Sequence, residues 1–174
     1  MDKDYFIEAL RIAKGQYPPE MRWRVVEQNH KNQFITAMGS TFGIDKDGNI
    51  GGLCRNKFDA EGTLLLKNAV MNGGRKLQAF GKGLFGFYTR NHFRPISWTP
   101  FNPNMAPDGW KEEYPKDPLI FYAYDKNYHP IQRGLFFLFM CTTAPSKDAD
   151  EAYEERDKWI KDTKKKRKSK GGRQ

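Results

Sequence analysis

Apolar and polar positions alternate along the chain with two different periods. Between Asp4 and Lys14 the apolar residues Phe6, Ile7, Leu10 and Ala13 fall on one face of a helix, and Gly15 and Pro18-Pro19 end it. Arg22 to Gln28 alternates loosely, as a strand does, and Gln33 to Ile44 reads as a second strand. Asp45-Lys46-Asp47-Gly48 is a turn signal, and Asn49 to Arg55 returns as a strand. Gly51-Gly52 inside that strand marks a bulge or a place where something comes close to the backbone. Gly62 then opens a helix whose apolar face is Leu65, Leu66, Ala69 and Val70, with Gly73-Gly74 as its stop.

The second half continues the alternation. Lys76 to Phe80 predicts a short strand, Leu84 to Asn91 a short helix, and Phe93 to Phe101 a strand. Asn102 to Pro118 holds four prolines and reads as a structured loop. Leu119 to Asp125 and Leu135 to Thr143 read as two strands around the turn Asp-Lys-Asn-Tyr-His-Pro. Asp148-Ala149-Asp150-Glu151 is a capping-box start for a last helix, on which Ala152, Tyr153, Trp159 and Ile160 are docking residues; Ser169 to Gln174 is expected to be loose. The order strand, helix, strand, helix implies an α/β fold with a parallel or mixed sheet and helices on its faces.

Charge divides the chain unevenly. The net charge is +9, but nine cations and one acid, Asp162, lie between Lys158 and Gln174, so that segment carries +8 and the rest +1. We therefore expect one domain over residues 1–145 and a charged helix with a basic tail over 146–174. Aromatics make up 14% of the residues, too many for a disordered chain. Cys54 and Cys141 stand far apart, which fits neither a zinc site nor a disulfide framework. The start is not an apolar leader, and the longest apolar run, Leu135 to Cys141, is far too short to span a bilayer. A cytoplasmic protein with no membrane partner is expected.

The stretch from Lys57 to Phe93 resembles the GNAT superfamily of acyl-CoA N-acyltransferases. That family carries Q/R-x-x-G-x-G/A at the start of its central helix; here the segment is Lys57-Phe58-Asp59-Ala60-Glu61-Gly62. Lys stands for Gln/Arg, Ala60 for the first Gly, and the last Gly is kept. The family segment Phe-Tyr-x-x-x-Gly-Phe appears as Phe87-Tyr88-Thr89-Arg90-Asn91-His92-Phe93, with His92 in place of Gly. Together with Asn72-Gly73-Gly74 and the later Pro107-Asp108-Gly109-Trp110, the chain looks closest to GNAT-like proteins of bacteriophages and mobile elements, which admits a host cytoplasm or a virion as its location. The resemblance spans about residues 33 to 125.

It implies a GNAT-like twisted mixed β-sheet flanked by helices, acetyl-CoA or another acyl-CoA as donor, and an amine of unknown identity as acceptor. Backbone N–H groups of Ala60, Gly62 and Thr63 would hold the pyrophosphate at the helix dipole, with charge from Lys57; Asp59 and Glu61 repel phosphate. Tyr88 would protonate the departing thiolate, a role that suits a phenol protonated at neutral pH. The resemblance also admits a catalytically silent module of the same fold that binds a protein or nucleic acid through its surface and tail.

Each of these residues also has a plain structural reading. The Gly62 region is equally a helix start with acids placed for the dipole. Tyr88 is equally an aromatic packed beside Phe87 and Phe93. No general base stands out: His92 reads as structural, while His30 and His129 lie in polar turns and are expected to be exposed. Cys54 reads as a small buried residue. Trp110 either lines a substrate pocket or plugs the core edge. Lys164, Lys165, Lys166, Arg167, Lys168 and Lys170 form a run suited to phosphates of a polyanion, with no aromatics between them to stack bases.

Overall fold

The structure, a computed structural model, describes residues 3–57, 62–130 and 135–171. It is an α/β protein. Contacts divide the chain into two compact units, Met1–Gln78 with Asn102–Lys116, and Ala79–Phe101 with Asp117–Gln174.

The first unit begins with α1 (Lys3–Gly15), whose predicted face is buried: Phe6, Leu10 and Ala13 form a core with Cys54, flanked by Ile7, Tyr17, Val25 and Ile35. The expected strand at Arg22 to Gln28 is absent. Pro19 instead starts a single helical turn, α2 (Pro19–Arg22), where its fixed φ and missing N–H cost nothing. Trp23 behind it is buried, and its indole N–H donates to the Glu20 carbonyl at 2.8 Å.

Gln33 to Ile44 is two strands rather than one, β1 (Asn32–Ile35) and β2 (Thr41–Ile44). The chain reverses between them through Gly39 at φ 83°, and the Thr36 N–H donates to the Ser40 carbonyl at 2.8 Å. β3 (Ile50–Cys54) follows the Asp45–Gly48 turn, giving an antiparallel sheet in the order β1-β2-β3. β2 packs against both α1 and the next helix, so all four of its residues are buried and it shows no alternation.

That helix, α3 (Gly62–Met71), buries Leu65, Leu66 and Ala69. Its glycine stop is a Schellman motif: Gly74 N–H donates to Ala69 O at 2.9 Å and Gly73 N–H to Val70 O at 3.1 Å. The chain returns as β4 (Lys76–Phe80), within which it passes into the second unit. Lys76 forms an isolated parallel bridge with Asn49, and its ammonium lies 2.8 Å from the Asp47 carboxylate.

The second unit contains α4 (Phe85–Arg90), β5 (Phe93–Thr99) and β6 (Leu119–Tyr124), and its sheet has the order β4-β6-β5. β5 and β6 run antiparallel with a register shift between Pro95 and Ser97. Pro95, which has no N–H to give a ladder, thus sits at a bulge on an edge strand. Central β6 buries Ile120, Phe121, Tyr122 and Ala123 completely. The expected parallel or mixed sheet with helices on its faces is replaced by two small three-stranded sheets: β1-β2-β3 and the β5–β6 pair are antiparallel, and the parallel Asn49–Lys76 contact is an isolated bridge.

Leu135 to Thr143, expected as a strand, is helix α5 (Leu135–Thr142). A continuous apolar run suits either geometry, and a helix satisfies its own backbone without a free sheet edge. α6 (Ala149–Gly171) starts at the predicted capping box: the Asp148 carboxylate accepts from Glu151 N–H at 2.9 Å, and the Glu151 carboxylate accepts from Lys147 N–H. Its first half packs on β5 and β6, with Ala152 fully buried. It continues as helix through Ser169 to Gly171, where a loose end was expected.

Candidate functional site

Gly62 and Thr63, the first described residues of α3, are half-buried. The approach to this helix is held by the end of α1. Tyr17 donates its hydroxyl to the Arg55 carbonyl at 2.8 Å, and the Gln16 side-chain oxygen accepts from Lys57 N–H at 2.7 Å. Asn56 N–H is bound by the Ser40 hydroxyl at 2.8 Å. The backbone entering the segment is therefore pinned at three successive residues, and the Lys57 side chain is exposed. Ala60, with Asp59 and Glu61, lies outside the described residues.

Tyr88 lies in α4 and is 7% exposed. Its ring meets those of Phe87 and Tyr122 at centroid distances of 5.3 Å and that of Phe93 at 6.3 Å. Tyr122 is more deeply buried, and its hydroxyl has no hydrogen-bond partner among the described residues. Burial, then the neighbouring phenols of Tyr88 and Tyr128, push the Tyr122 phenol well above its ordinary range. The Tyr122 phenol therefore keeps its proton at any physiological pH.

His92 has φ 65°, the one positive value on a non-glycine residue among those described. The position that holds glycine in the resembled segment thus has a glycine-type backbone here. Its Nδ1 lies 2.9 Å from the Tyr128 carbonyl, which can only accept, so Nδ1 carries the proton. His92 O also accepts from Asp125 N–H at 2.9 Å. The residue closes the turn between α4 and β5, a structural task.

His129 is exposed as expected, but His30 is not: its side chain has no solvent exposure. Nδ1 of His30 faces an Asp45 carboxylate oxygen at 3.2 Å, and Nε2 is buried without a hydrogen-bond partner among the described residues. The ring fills a slot over Gly43, Gly51 and Gly52, edge-on to Phe6. His30 is therefore what approaches the backbone at Gly51-Gly52.

Cys54 is buried, and burial pushes its thiol up to about 11 against a small opposing effect of Lys14. It is not a thiolate at neutral pH, which removes it as a nucleophile. Trp110 is half-buried in the first unit. Among the described residues, no three His, Cys, Asp or Glu side chains are grouped as metal ligands, and no helix is long and apolar enough to cross a membrane.

Lys57, Gly62 and Thr63 belong to the first unit; Tyr88 and the basic segment belong to the second. Lys164 and Lys165 are exposed on α6, and Lys166, Arg167, Lys168 and Lys170 extend the same helix. One cluster was not foreseen. Arg94 on β5 lies 3.4 Å from Asp125, 4.6 Å from the Tyr128 ring centroid and 5.7 Å from that of Trp159. Arg94 and Tyr128 share a cavity of about 190 Å³ with Phe85, Leu138 and Phe139. These residues are far apart in sequence and follow no common spacing, so no local signal joins them. Comparison of the chain with protein-family models, curated proteins and solved structures finds no match.

Proposed function

We propose that this chain is a GNAT-type acyltransferase that moves an acyl group, acetyl in the simplest case, from CoA to a primary amine. One observation carries the reading. β3 is followed by the pinned residues Arg55, Asn56 and Lys57 and then by the ten-residue helix α3 (Gly62–Met71), and the returning strand β4 meets Asn49, just ahead of β3, in a parallel bridge. The glycine-type backbone of His92, four residues after Tyr88, supports the same register of the second segment.

On this reading the N–H groups of the first turn of α3 take the pyrophosphate. The amine attacks the thioester carbonyl carbon, the C–N bond forms and the C–S bond breaks. The leaving sulfur takes the phenolic proton of Tyr88, which solvent restores, and the amine gives its own proton to solvent. The burial of Tyr88 favours a second reading, a silent module of this fold that binds acyl-CoA without turning it over.

Calorimetry with acetyl-CoA tests the proposal. Binding is expected, and Gly62→Asp should abolish it, because a carboxylate would meet the pyrophosphate. No heat of binding at millimolar acetyl-CoA would overturn both readings. Binding without consumption of acetyl-CoA across a panel of amines would leave the silent module.

A further inference from the structure

The stretch of α6 from Lys158 onward has a property that acyl transfer does not use. Lys158, Lys161, Lys164 and Lys165 are all exposed. At 3.6 residues per turn these positions fall within about a third of the helix circumference, and they rise over about 10 Å. Glu154 and Asp157 occupy the same face further back, and the exposed Asp162 lies beside the stripe and offsets one of its charges.

The stripe is carried on a fixed base. Ser97 donates its hydroxyl to the Ala152 carbonyl at 2.7 Å in a buried bond. Tyr153 packs edge-on against Phe121 at 4.7 Å. The Arg156 side chain, 1% exposed, lies 5.7 Å from the Phe121 ring centroid and 5.0 Å from that of Tyr153. Arg94 stands over Trp159. The helix axis is therefore set by β5 and β6 up to the point where the lysines begin.

We propose that this stripe binds the phosphate backbone of duplex nucleic acid, by charge alone. Residues 161–171 contain no apolar side chain, and Trp159 and Ile160 before them are half-buried, so this stretch has no broad apolar face to lay into a lipid interface. The same lack removes the aromatic and apolar anchors on which a protein partner's interface would centre. It also removes the stacking platforms that single strands require. A regular array of phosphates on a stiff polymer is the partner that remains. The inference does not rest on the acyl-transfer reading, since it concerns α6 and needs no acyl-CoA.

The test uses the full chain without acyl-CoA, and fluorescence anisotropy with a labelled short duplex, titrated from about 50 to 200 mM salt. Each phosphate contact contributes about −0.9 to the slope of log affinity against log salt. The variant K158Q/K161Q/K164Q/K165Q should flatten that slope by about 3.6. T163P keeps every charge but breaks the helix, and should weaken binding severalfold. Duplex should be preferred to the matching single strand, to phosphatidylserine vesicles and to polyglutamate. A quadruple variant with the parent slope, T163P binding like the parent, or equal affinity for any of the three competitors would overturn the proposal.

Discussion

The imidazole of His30 lies so close to the backbone of Gly43 that a Cβ there would stand 2.1 Å from ring carbon Cδ2. A Cβ on Gly51 would meet the same ring at 2.4 Å. The ring is held on its other side by Phe6 and at Nδ1 by Asp45, so it has nowhere to retreat. Two strands have thus given up side chains to seat one histidine.

Gly43→Ala or Gly51→Ala should destabilise the fold by about 1–3 kcal/mol, the usual cost of overpacking. Urea denaturation measures it. His30→Ala also destabilises, by opening a cavity, but Gly43→Ala made in that background should cost much less than in the parent. Additive costs in this double-mutant cycle would mean that the ring does not fill the slot in solution.

Tyr88→Phe tests the proposed general acid. The ring contacts with Phe87, Phe93 and Tyr122 are kept, so stability and acetyl-CoA affinity should change little. Loss of a proton donor should lower kcat and kcat/KM together by about 10²–10⁴-fold. Unchanged turnover with a competent amine would reduce Tyr88 to a packing residue.

His92 separates backbone strain from hydrogen bonding. Ala at φ 65° keeps the left-handed strain and loses the bond to Tyr128 O; Gly loses the same bond but relieves the strain. His92→Gly should therefore be more stable than His92→Ala by about 1 kcal/mol in thermal or urea unfolding. The opposite order would show that the backbone relaxes out of the left-handed region.

The two cysteines give an internal comparison. Cys141 is exposed and should react with a thiol reagent in the native protein at neutral pH, while Cys54 should react only on unfolding. The raised Cys54 value has a defined sign. The thiol stays neutral in the folded state after the unfolded chain has begun to ionise. Its contribution to stability is full below the unfolded value near 9 and is lost as pH rises toward about 11. Unfolding curves of the parent and Cys54→Ala, measured on either side of pH 9, check it. A Cys54 that reacts as fast as Cys141 would contradict its burial.

Local signals in the sequence determined much of this protein. The 3.6-residue face of α1, the Gly73-Gly74 stop of α3, the Asp148 capping box, and β4, β5 and β6 were all legible, because each depends on neighbours within one or two turns or on a glycine's backbone freedom. Tertiary structure decided the rest. The run Leu135 to Cys141 is equally apolar as strand or helix, and only the available partners selected α5. Gln33 to Ile44 became two strands because β2 found β1 and β3 as neighbours. His30 stands in a polar stretch, and its burial depends on Gly43 and Gly51, which are distant in sequence and gain meaning only when β2 and β3 pair. The arrangement of Arg94, Asp125, Tyr128 and Trp159 arises in the same way, from elements that meet only after folding.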